Sequence, residues 1–299
     1  MTLIVPVYNG AHVLPKTLAA VLAQDVGRIV YVDDGSVDAT PRLLADLASR
    51  DDRVRVLTFE SNRGRAAARN AGAREAEGDT LLFVDADVVP DPRWATTCCR
   101  EMERKGGIAA LGSLQFGDLD PADPYHQYLA SSVRGPRRPL PGPIEWRYFV
   151  TTAVAVRREA FEGAGGFPEA VGYGEDLALA CRLSGLAPDG LVYVPTARAT
   201  MYDPGDLGTA LEKVRQFAES LPEMMRHCPD VLRVGHLSRL PSQRLADRVL
   251  LAAVKAQTPA RALESTLPRL PRLLRPIAVR YLLAHAFAVH AHNALTRAS

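Results

Sequence analysis

Four short polar clusters in this chain combine residue types that do chemistry at strand ends. The first is Asp85-Ala86-Asp87, directly after the apolar run Leu81-Leu82-Phe83-Val84. In an extended segment, side chains two apart face the same way. Two carboxylates on one side repel, and a hard divalent cation relieves that repulsion while taking phosphate oxygens as well. So placed, it neutralises a diphosphate leaving group. The competing reading is a solvated acidic turn. The second cluster is Asp33-Asp34-Gly35-Ser36-Val37-Asp38-Ala39-Thr40. Asp34 can accept a hydrogen bond from the N–H of a nucleobase, and Gly35 permits a tight reversal. Asp38 and Thr40 are read as caps of the helix that begins near Pro41.

The third cluster is Asn62-Arg63-Gly64-Arg65-Ala66-Ala67-Ala68-Arg69-Asn70. Arg65 and Arg69 are four apart, hence on one helix face. A helix start carrying arginine suits an anionic ligand, and the alternative is an exposed basic face. The fourth is Gly172-Tyr173-Gly174-Glu175-Asp176-Leu177 at the opening of a helix. Acidic residues there also answer the helix dipole. The functional alternative is a general base that takes the proton of an attacking hydroxyl.

The elements that must position these clusters alternate. Strands are expected over 2–7, 28–32, 54–59 and 80–84, and helices over 14–24, 40–50 and 65–76. That alternation predicts an α/β fold with a mostly parallel, Rossmann-like sheet covered by helices. Ligands of such sheets bind at the carboxyl ends of the strands, where the clusters fall. Residues 121–143, rich in Pro, Gly and Arg, read as a loop. A strand pattern returns over 145–156, followed by short helices over 157–164 and 174–184, a strand at 191–193 and a helix over 207–220. Beyond Arg226 the pattern is helical but broken by Pro259, Pro268, Pro271 and Pro276.

Composition narrows the function. The chain has 299 residues, 47% hydrophobic and 23% charged, as in a globular protein. Its net charge of +2 hides an asymmetry. Residues 231–299 carry 11 Arg/Lys against 2 Asp/Glu, so the remainder is acidic. A uniformly basic nucleic-acid binder is therefore excluded. Cys98, Cys99, Cys181 and Cys228 show no metal-binding spacing and are read as reduced. With no apolar run of membrane-spanning length and a strand starting near Met1, the expected location is the cytoplasm, peripheral at the inner face of the membrane if the tail binds lipid.

Taken in order, Val5-Pro6-Val7-Tyr8-Asn9, Asp33-Asp34-Gly35-Ser36, Asn62-Arg63-Gly64 with Ala68-Arg69-Asn70, Asp85-Ala86-Asp87, Gly165-Gly166-Phe167 and Gly174-Glu175-Asp176 resemble the family 2 glycosyltransferases of the GT-A fold. The resemblance covers about three-fifths of the chain. It implies a catalytic domain over 1–205, with a donor half at 1–112 and an acceptor half at 113–205, followed by a helical basic extension over 206–299. Pro6, Tyr8 and Asp34 fall where the family holds the base of a nucleotide-diphosphate sugar, usually uracil, with Arg65 assisting. Val7, Asn9, Asp33 and Ala86 complete the implied donor site. Asp85 and Asp87 fall on the motif that holds Mn2+ or Mg2+ and the diphosphate. Asp176 falls on the general base, with Glu175 beside it. The implied reaction is transfer of the sugar to an acceptor hydroxyl in one inverting displacement.

Two departures stand out. Val150-Thr151-Thr152-Ala153-Val154 replaces the family's Gly-Gly-Asn stretch, and Ala199-Thr200-Met201-Tyr202-Asp203 stands where many members place a histidine, with Asp203 as its substitute. Two other functions compete with the glycosyltransferase reading. One is a non-catalytic nucleotide-sugar-binding module. The other is a nucleotidyltransferase, for which the usual Gly-rich loop with a lysine is missing near the first strand. The tail, including a helix over 277–295 with His285, His290 and His292, is read as packing on the catalytic domain or forming a homodimer surface. The alternative is peripheral contact with anionic lipid.

Overall fold

The run Thr2–Val7 is buried at every position, as a strand is in a sheet covered on both faces. This strand, β1, pairs in parallel with β2 (Arg28–Asp33) on one side and β4 (Thr80–Val84) on the other, and β2 pairs in parallel with β3 (Val54–Thr58). The connections are α1 (Leu14–Leu22), α2 (Thr40–Ala48) and α3 (Arg65–Glu75). Beyond β4 come β5 (Val88–Pro90), α4 (Trp94–Arg104) and β6 (Ala109–Phe116). After α5 (Pro124–Ser131) follow β7 (Gly142–Pro143), β8 (Ala153–Arg157), α6 (Arg158–Gly163), α7 (Glu175–Leu186) and β9 (Leu191–Met201). The sheet runs β3-β2-β1-β4-β8-β6-β9-β5, with β7 against β9. β8 is antiparallel to both β4 and β6, so direction reverses there.

The computed structural model describes residues 1–131, 141–233 and 257–298. The chain divides into two units. The first comprises Met1–Gly117, Arg134–Glu169 and Glu175–Asp203, and the second Asp118–Val133, Ala170–Gly174 and Pro204–Ser299. In the first unit the sheet separates two cores. Leu3, Val5 and Val7 of β1 meet Leu14, Leu44 and Trp94 on one face, while Ile4 meets Phe83, Phe161 and Phe167 on the other. That split follows from strand alternation. The second unit is helical. There α8 (Leu207–Glu219), α9 (Leu221–His227) and α10 (Gln257–Thr266) join α5 around the long α11 (Arg275–Ala298). Phe217 and Phe287 meet within it with ring centroids 5.9 Å apart and planes tilted by 41°.

The α/β sheet flanked by helices is as expected from the sequence, and so is the helical C-terminal region. Several local expectations are corrected. Residues 124–131 form a helix inside the segment read as loop, because Asp123 accepts the first-turn N–H groups of Tyr125 and His126. The strand expected over 145–156 is confined to 153–157. Trp146–Tyr148 forms a helical turn, and the chain turns again at Thr151-Thr152. The strand expected at 191–193 runs on to Met201, past an irregularity opposite Gly112 and Ser113. The strands β5 and β6 had no counterpart in the sequence reading. Cys98 and Cys99 are free. Cys181 and Cys228 are each disulfide-bonded, which corrects the reduced reading for those two. Spacing along a chain carries no record of which thiols a fold brings to bonding distance. Residues 132–140 and 234–256 lie outside the described residues, as do the side chains of Ile277, Tyr281 and His292 on the expected tail stripe.

The element that matters most for the site is α3. Ala66, Ala67, Ala68, Ala71, Gly72 and Ala73 are all buried, so the helix lies close on the sheet. A Cβ at Gly72 would overlap the Ile4 side chain and press on Val32 at 3.2 Å. Gly72→Val is expected to destabilise by about 1–3 kcal/mol through overpacking. An unchanged urea midpoint would show that α3 can lift off the sheet without cost.

Candidate active site

The carboxyl ends of β1 and β2 carry loops that bind each other. Asn9 bonds Ser36 and Val37 across the gap. The Asn9 N–H donates to Ser36 Oγ at 2.8 Å, and the Val37 N–H donates to Asn9 Oδ1 at 3.0 Å. Asn9 sits at φ +50°, a conformation asparagine tolerates better than most residues. The Gly10 N–H donates to Thr40 Oγ1 at 2.8 Å and the Ala11 N–H to Asp38 Oδ2 at 3.1 Å. The capping expectation is therefore corrected for Thr40, while Asp38 takes the N–H of the first helical residue. The N-cap of α2 is Ala39, which makes no side-chain cap bond. Thr40 ties down the loop after β1. Asp38 does the same, although its Oδ1 also accepts the Thr40 N–H at 2.9 Å. Of the residues expected to hold the donor, Pro6 and Val7 are buried in the strand, and Tyr8 is half exposed at its end.

Asp33 and Asp34 are both buried. Asp34 receives the Arg63 N–H at 2.7 Å and the Gly64 N–H at 2.9 Å, so its carboxylate anchors the loop before α3. Burial raises its pKa above the usual carboxylate range, against those two bonds. Asp33 accepts the Ser36 N–H at 3.0 Å on one oxygen. Its other oxygen is buried without a partner. Gly35 turns the chain at φ +73° with a Cβ position that backbone atoms of Ser61 and Asn62 already fill, so only glycine fits.

At the centre of the site lies Arg69. Its guanidinium donates to Glu175 Oε1 at 2.6 Å and to Asp85 Oδ1 at 2.7 Å, and stands 5.4 Å from the Phe167 ring centroid. Arg69 is 2% exposed and Glu175 4%. Arg65, one turn earlier, reaches within 4.0 Å of the same Glu175 oxygen. Three elements thus meet on one cation: α3, the end of β4 and the start of α7. The basic-face reading fails for Arg69, whose signal in sequence was its i, i+4 spacing from Arg65 on an alanine-rich helix.

Glu175 and Asp176 are adjacent and differ in state. Burial would raise Glu175, but the charges of Arg69 and Arg65 hold it below its ordinary value. Asp176 is pushed up to about 6, first by burial and next by the charge of Glu175. Environments that drive two neighbouring carboxyls apart mark acid–base machinery. Nearby, Asn70 bonds both ways with Phe167, accepting its N–H at 2.9 Å and donating to its carbonyl at 2.9 Å, which fixes the Gly165-Gly166-Phe167 segment against α3.

Asp85-Ala86-Asp87 forms a turn and not an extended segment. The Val88 N–H closes on the Asp85 carbonyl at 3.1 Å, and the Asp85 N–H is held by the Thr152 carbonyl at 3.0 Å. The alternation argument for two carboxylates on one side therefore does not apply. Part of the negative charge is also already answered, by Arg69. The remaining donors are carboxylate oxygens, which suit Mg2+ or Mn2+. Among the described residues no group of three or more His, Cys, Asp or Glu could hold a metal ion. The pair thus fits a cation whose other ligands come from phosphate and water. Asp203, on the strand end whose Tyr202 N–H bonds the Asp87 carbonyl at 2.9 Å, pairs with His12 at 3.3 Å. His12 gave no signal in the sequence.

The family model for Glycosyl transferase family 2 matches residues 2–165. The succinoglycan biosynthesis protein ExoO of Rhizobium meliloti is 33% identical over 147 residues, 48% of this chain and 42% of that protein. The pre-mycofactocin glycosyltransferase of Mycobacterium tuberculosis is 29% identical over 187 residues, 61% of this chain and 38% of that protein. The matched region thus spans about two fifths of the length of these relatives. Among solved structures, the mannosyltransferase PcManGT of Pyrobaculum calidifontis, in complex with GDP-Man and Mn2+, superposes with a TM-score of 0.64 at 22% identity, covering 98% of this chain and 86% of that one. S. aureus TarS 1-349 in complex with UDP-GlcNAc gives 0.57 at 17%, covering 99% and 91%. These likenesses establish the GT-A fold.

Removal of Arg69 would leave Glu175 buried without its counter-charge. Arg69→Met is expected to cost about 3–5 kcal/mol of unfolding free energy at neutral pH, the usual consequence of breaking a buried pair from one side. Denaturant unfolding measures it, and a loss under about 1 kcal/mol, the range of exposed pairs, would mean that the cluster is hydrated.

Proposed function

The chain belongs to glycosyl transferase family 2, and we propose that it moves a sugar from a nucleotide-diphosphate donor, UDP-linked, to an acceptor hydroxyl in a single inverting displacement. The observation that carries this reading is the buried Asp85–Arg69–Glu175 bridge with Asp176 next in sequence. It joins a diphosphate-facing turn to a carboxyl whose proton affinity suits a base. The domain reading assigns the donor half to residues 1–112, the acceptor half to 113–205 and the helical extension to 206–299.

In this reading Asp176 takes the proton of the acceptor hydroxyl as the new bond forms at the anomeric carbon and the diphosphate departs on the opposite side. Glu175 is locked as an anion by Arg69 and acts on Asp176 through its charge. Asp34 anchors Arg63 and Gly64, whose loop leads into Arg65, and Tyr8 offers an exposed ring at the end of β1. Asn9, Asp33, Pro6 and Val7 hold the floor beneath them. Asp87, with the free oxygen of Asp85, would hold Mn2+ or Mg2+. When bound, the cation supplies positive charge to the leaving diphosphate. Support for such a ligand set comes from the structural neighbours, one in complex with UDP-GlcNAc and one with GDP-Man and Mn2+.

Two outcomes test the assignment. A base must be deprotonated to act, so kcat/KM should rise with pH through about 6 and level off above it. Asp176→Asn should remove that limb and lower the rate by about 10²–10⁴-fold, with UDP affinity unchanged by calorimetry. A tenfold loss of UDP affinity would place Asp176 in the donor site. Separately, Mn2+ should tighten UDP binding to the unaltered chain, and Asp87→Ala should abolish that gain. Equal UDP affinity with and without chelator in the unaltered chain would remove the metal from the scheme.

A further inference from the structure

The turn that leads into α11 holds apolar side chains out into solvent. Leu273 is 89% exposed and Leu274 48%. A single exposed leucine needs no explanation. Two in succession at the apex of a braced turn do. The bracing is dense. The Leu270 N–H donates to the Leu267 carbonyl at 3.2 Å and the Leu274 N–H to the Pro271 carbonyl at 2.8 Å. Arg275 donates to the carbonyls of Leu270 at 2.9 Å, Pro268 at 2.8 Å and Ala122 at 3.3 Å. Pro268, Pro271 and Pro276 fix φ on either side. The leucines are therefore presented by the backbone and do not reach solvent through looseness.

The charges around them are one-sided along the chain. Arg269 and Arg272 are exposed beside the leucines, and Arg280 is exposed further along α11. Neither Arg269 nor Arg272 is held in an ion pair among the described residues. After Glu264 the remaining 35 residues contain no Asp or Glu. The acidic side chains that flank the Arg275 contact, Asp120 and Asp123, are turned onto local N–H groups of Ala122, Tyr125 and His126 at 2.7–2.9 Å. They offset part of the arginine charge but leave Arg269 and Arg272 without a partner among the described residues.

We propose that this turn is a docking tip for an anionic lipid bilayer. Leu273 and Leu274 enter the boundary between headgroups and acyl chains, and Arg269 and Arg272 meet the lipid phosphates. Apolar side chains flanked by arginines that have no acceptor among the described residues match the layering of a membrane interface: apolar below, anionic above. Among the described residues no helix is long and apolar enough to cross a membrane, so the association is with the surface. Each arginine near an anionic surface is worth about 1 kcal/mol, or about fivefold in partitioning. The two free ones together contribute about 25-fold.

The proposal does not rest on the glycosyltransferase reading, and its test uses neither donor nor acceptor. The full chain is sedimented with vesicles of phosphatidylcholine alone or of phosphatidylcholine with phosphatidylglycerol. Binding is expected only to the second. Arg269→Glu with Arg272→Glu should lower the partition coefficient by at least about 25-fold, and Leu273→Asp with Leu274→Asp should abolish binding. An unchanged Tm in both variants confirms folding, and Leu273→Ser, expected to weaken binding, serves if the aspartates do not fold. The proposal falls if vesicle charge makes no difference, if binding is absent, or if either double substitution leaves it intact. It falls equally if the unaltered chain is a dimer by sedimentation equilibrium that the leucine substitutions convert to monomer. That outcome would make the tip a subunit contact.

Discussion

The first unit is organised around one buried cation. Taking a guanidinium out of water is costly, and it is tolerated only where anions in contact return the lost solvation. Arg69 has two, Asp85 and Glu175, at 2.7 and 2.6 Å. Each comes from a different element, so the demand for charge balance becomes a demand on tertiary structure: α3, the turn after β4 and the start of α7 must converge. The convergence explains the composition of α3. Only a helix of alanines with a glycine at the Ile4 contact lies close enough to the sheet to carry a side chain inward between β4 and α7. It also leaves charge over. With Asp176 included, three carboxyls face Arg69 and the nearby Arg65, and the surplus falls on the member with the fewest direct partners. Partial burial and, next, the charge of Glu175 push Asp176 up to about 6.

Around this centre the polar residues that look like ligand contacts are first of all ligands of the backbone. Asp34 satisfies the Arg63 and Gly64 N–H groups, Ser36 and Asn9 satisfy each other's loops, and Asp38 and Thr40 satisfy Ala11 and Gly10. Loops at a sheet end carry many unpaired N–H groups, and buried ones must find acceptors. A rigid rim is the result. Rigidity at a binding site lowers the ordering cost that a ligand would otherwise meet. Asp33 is the exception within this network, because one of its oxygens remains buried and unsatisfied. Each such group in a folded protein calls for a reason, and its position beneath the rim supports the donor-site reading.

The strands β1, β2 and β4 were legible because each has a continuous apolar run and a polar stop at its carboxyl end, and β3 because Val54, Val56 and Leu57 keep an apolar pattern around Arg55. Between Asp87 and Gly117 the strands β5 and β6 were not legible, and the bounds of α4 were not either, since it mixes Thr, Cys and Arg and shows its apolar stripe only through Trp94, Ala95, Cys98 and Met102. The aromatic run 145–156 looks like a strand, yet Phe149 is buried from a helical turn, since packing overrides local preference. Within the site, motif positions and order were readable. What those residues bond to was not. Nothing in Arg65 and Arg69 distinguishes an exposed pair from one exposed and one buried residue, because the difference lies in where Asp85 and Glu175 end up. His12 meeting Asp203 across 191 positions leaves no local trace at all.

The same charge balance bears on how a cation could be held. A closed site needs several protein ligands, and here Asp85 already spends one oxygen on Arg69. A hard cation that prefers six or more oxygens would find a minority of them on the protein. The rest must come from water or from a diphosphate, and a diphosphate supplies them as chelating anions. In such an arrangement cation and nucleotide would each raise the affinity of the other by the same factor, as linkage requires. Arg69 strengthens that dependence, because it lowers the negative charge that the turn alone offers to a metal while leaving Asp87 in place. A turn with this distribution of charge would hold a cation weakly by itself and more firmly together with a diphosphate.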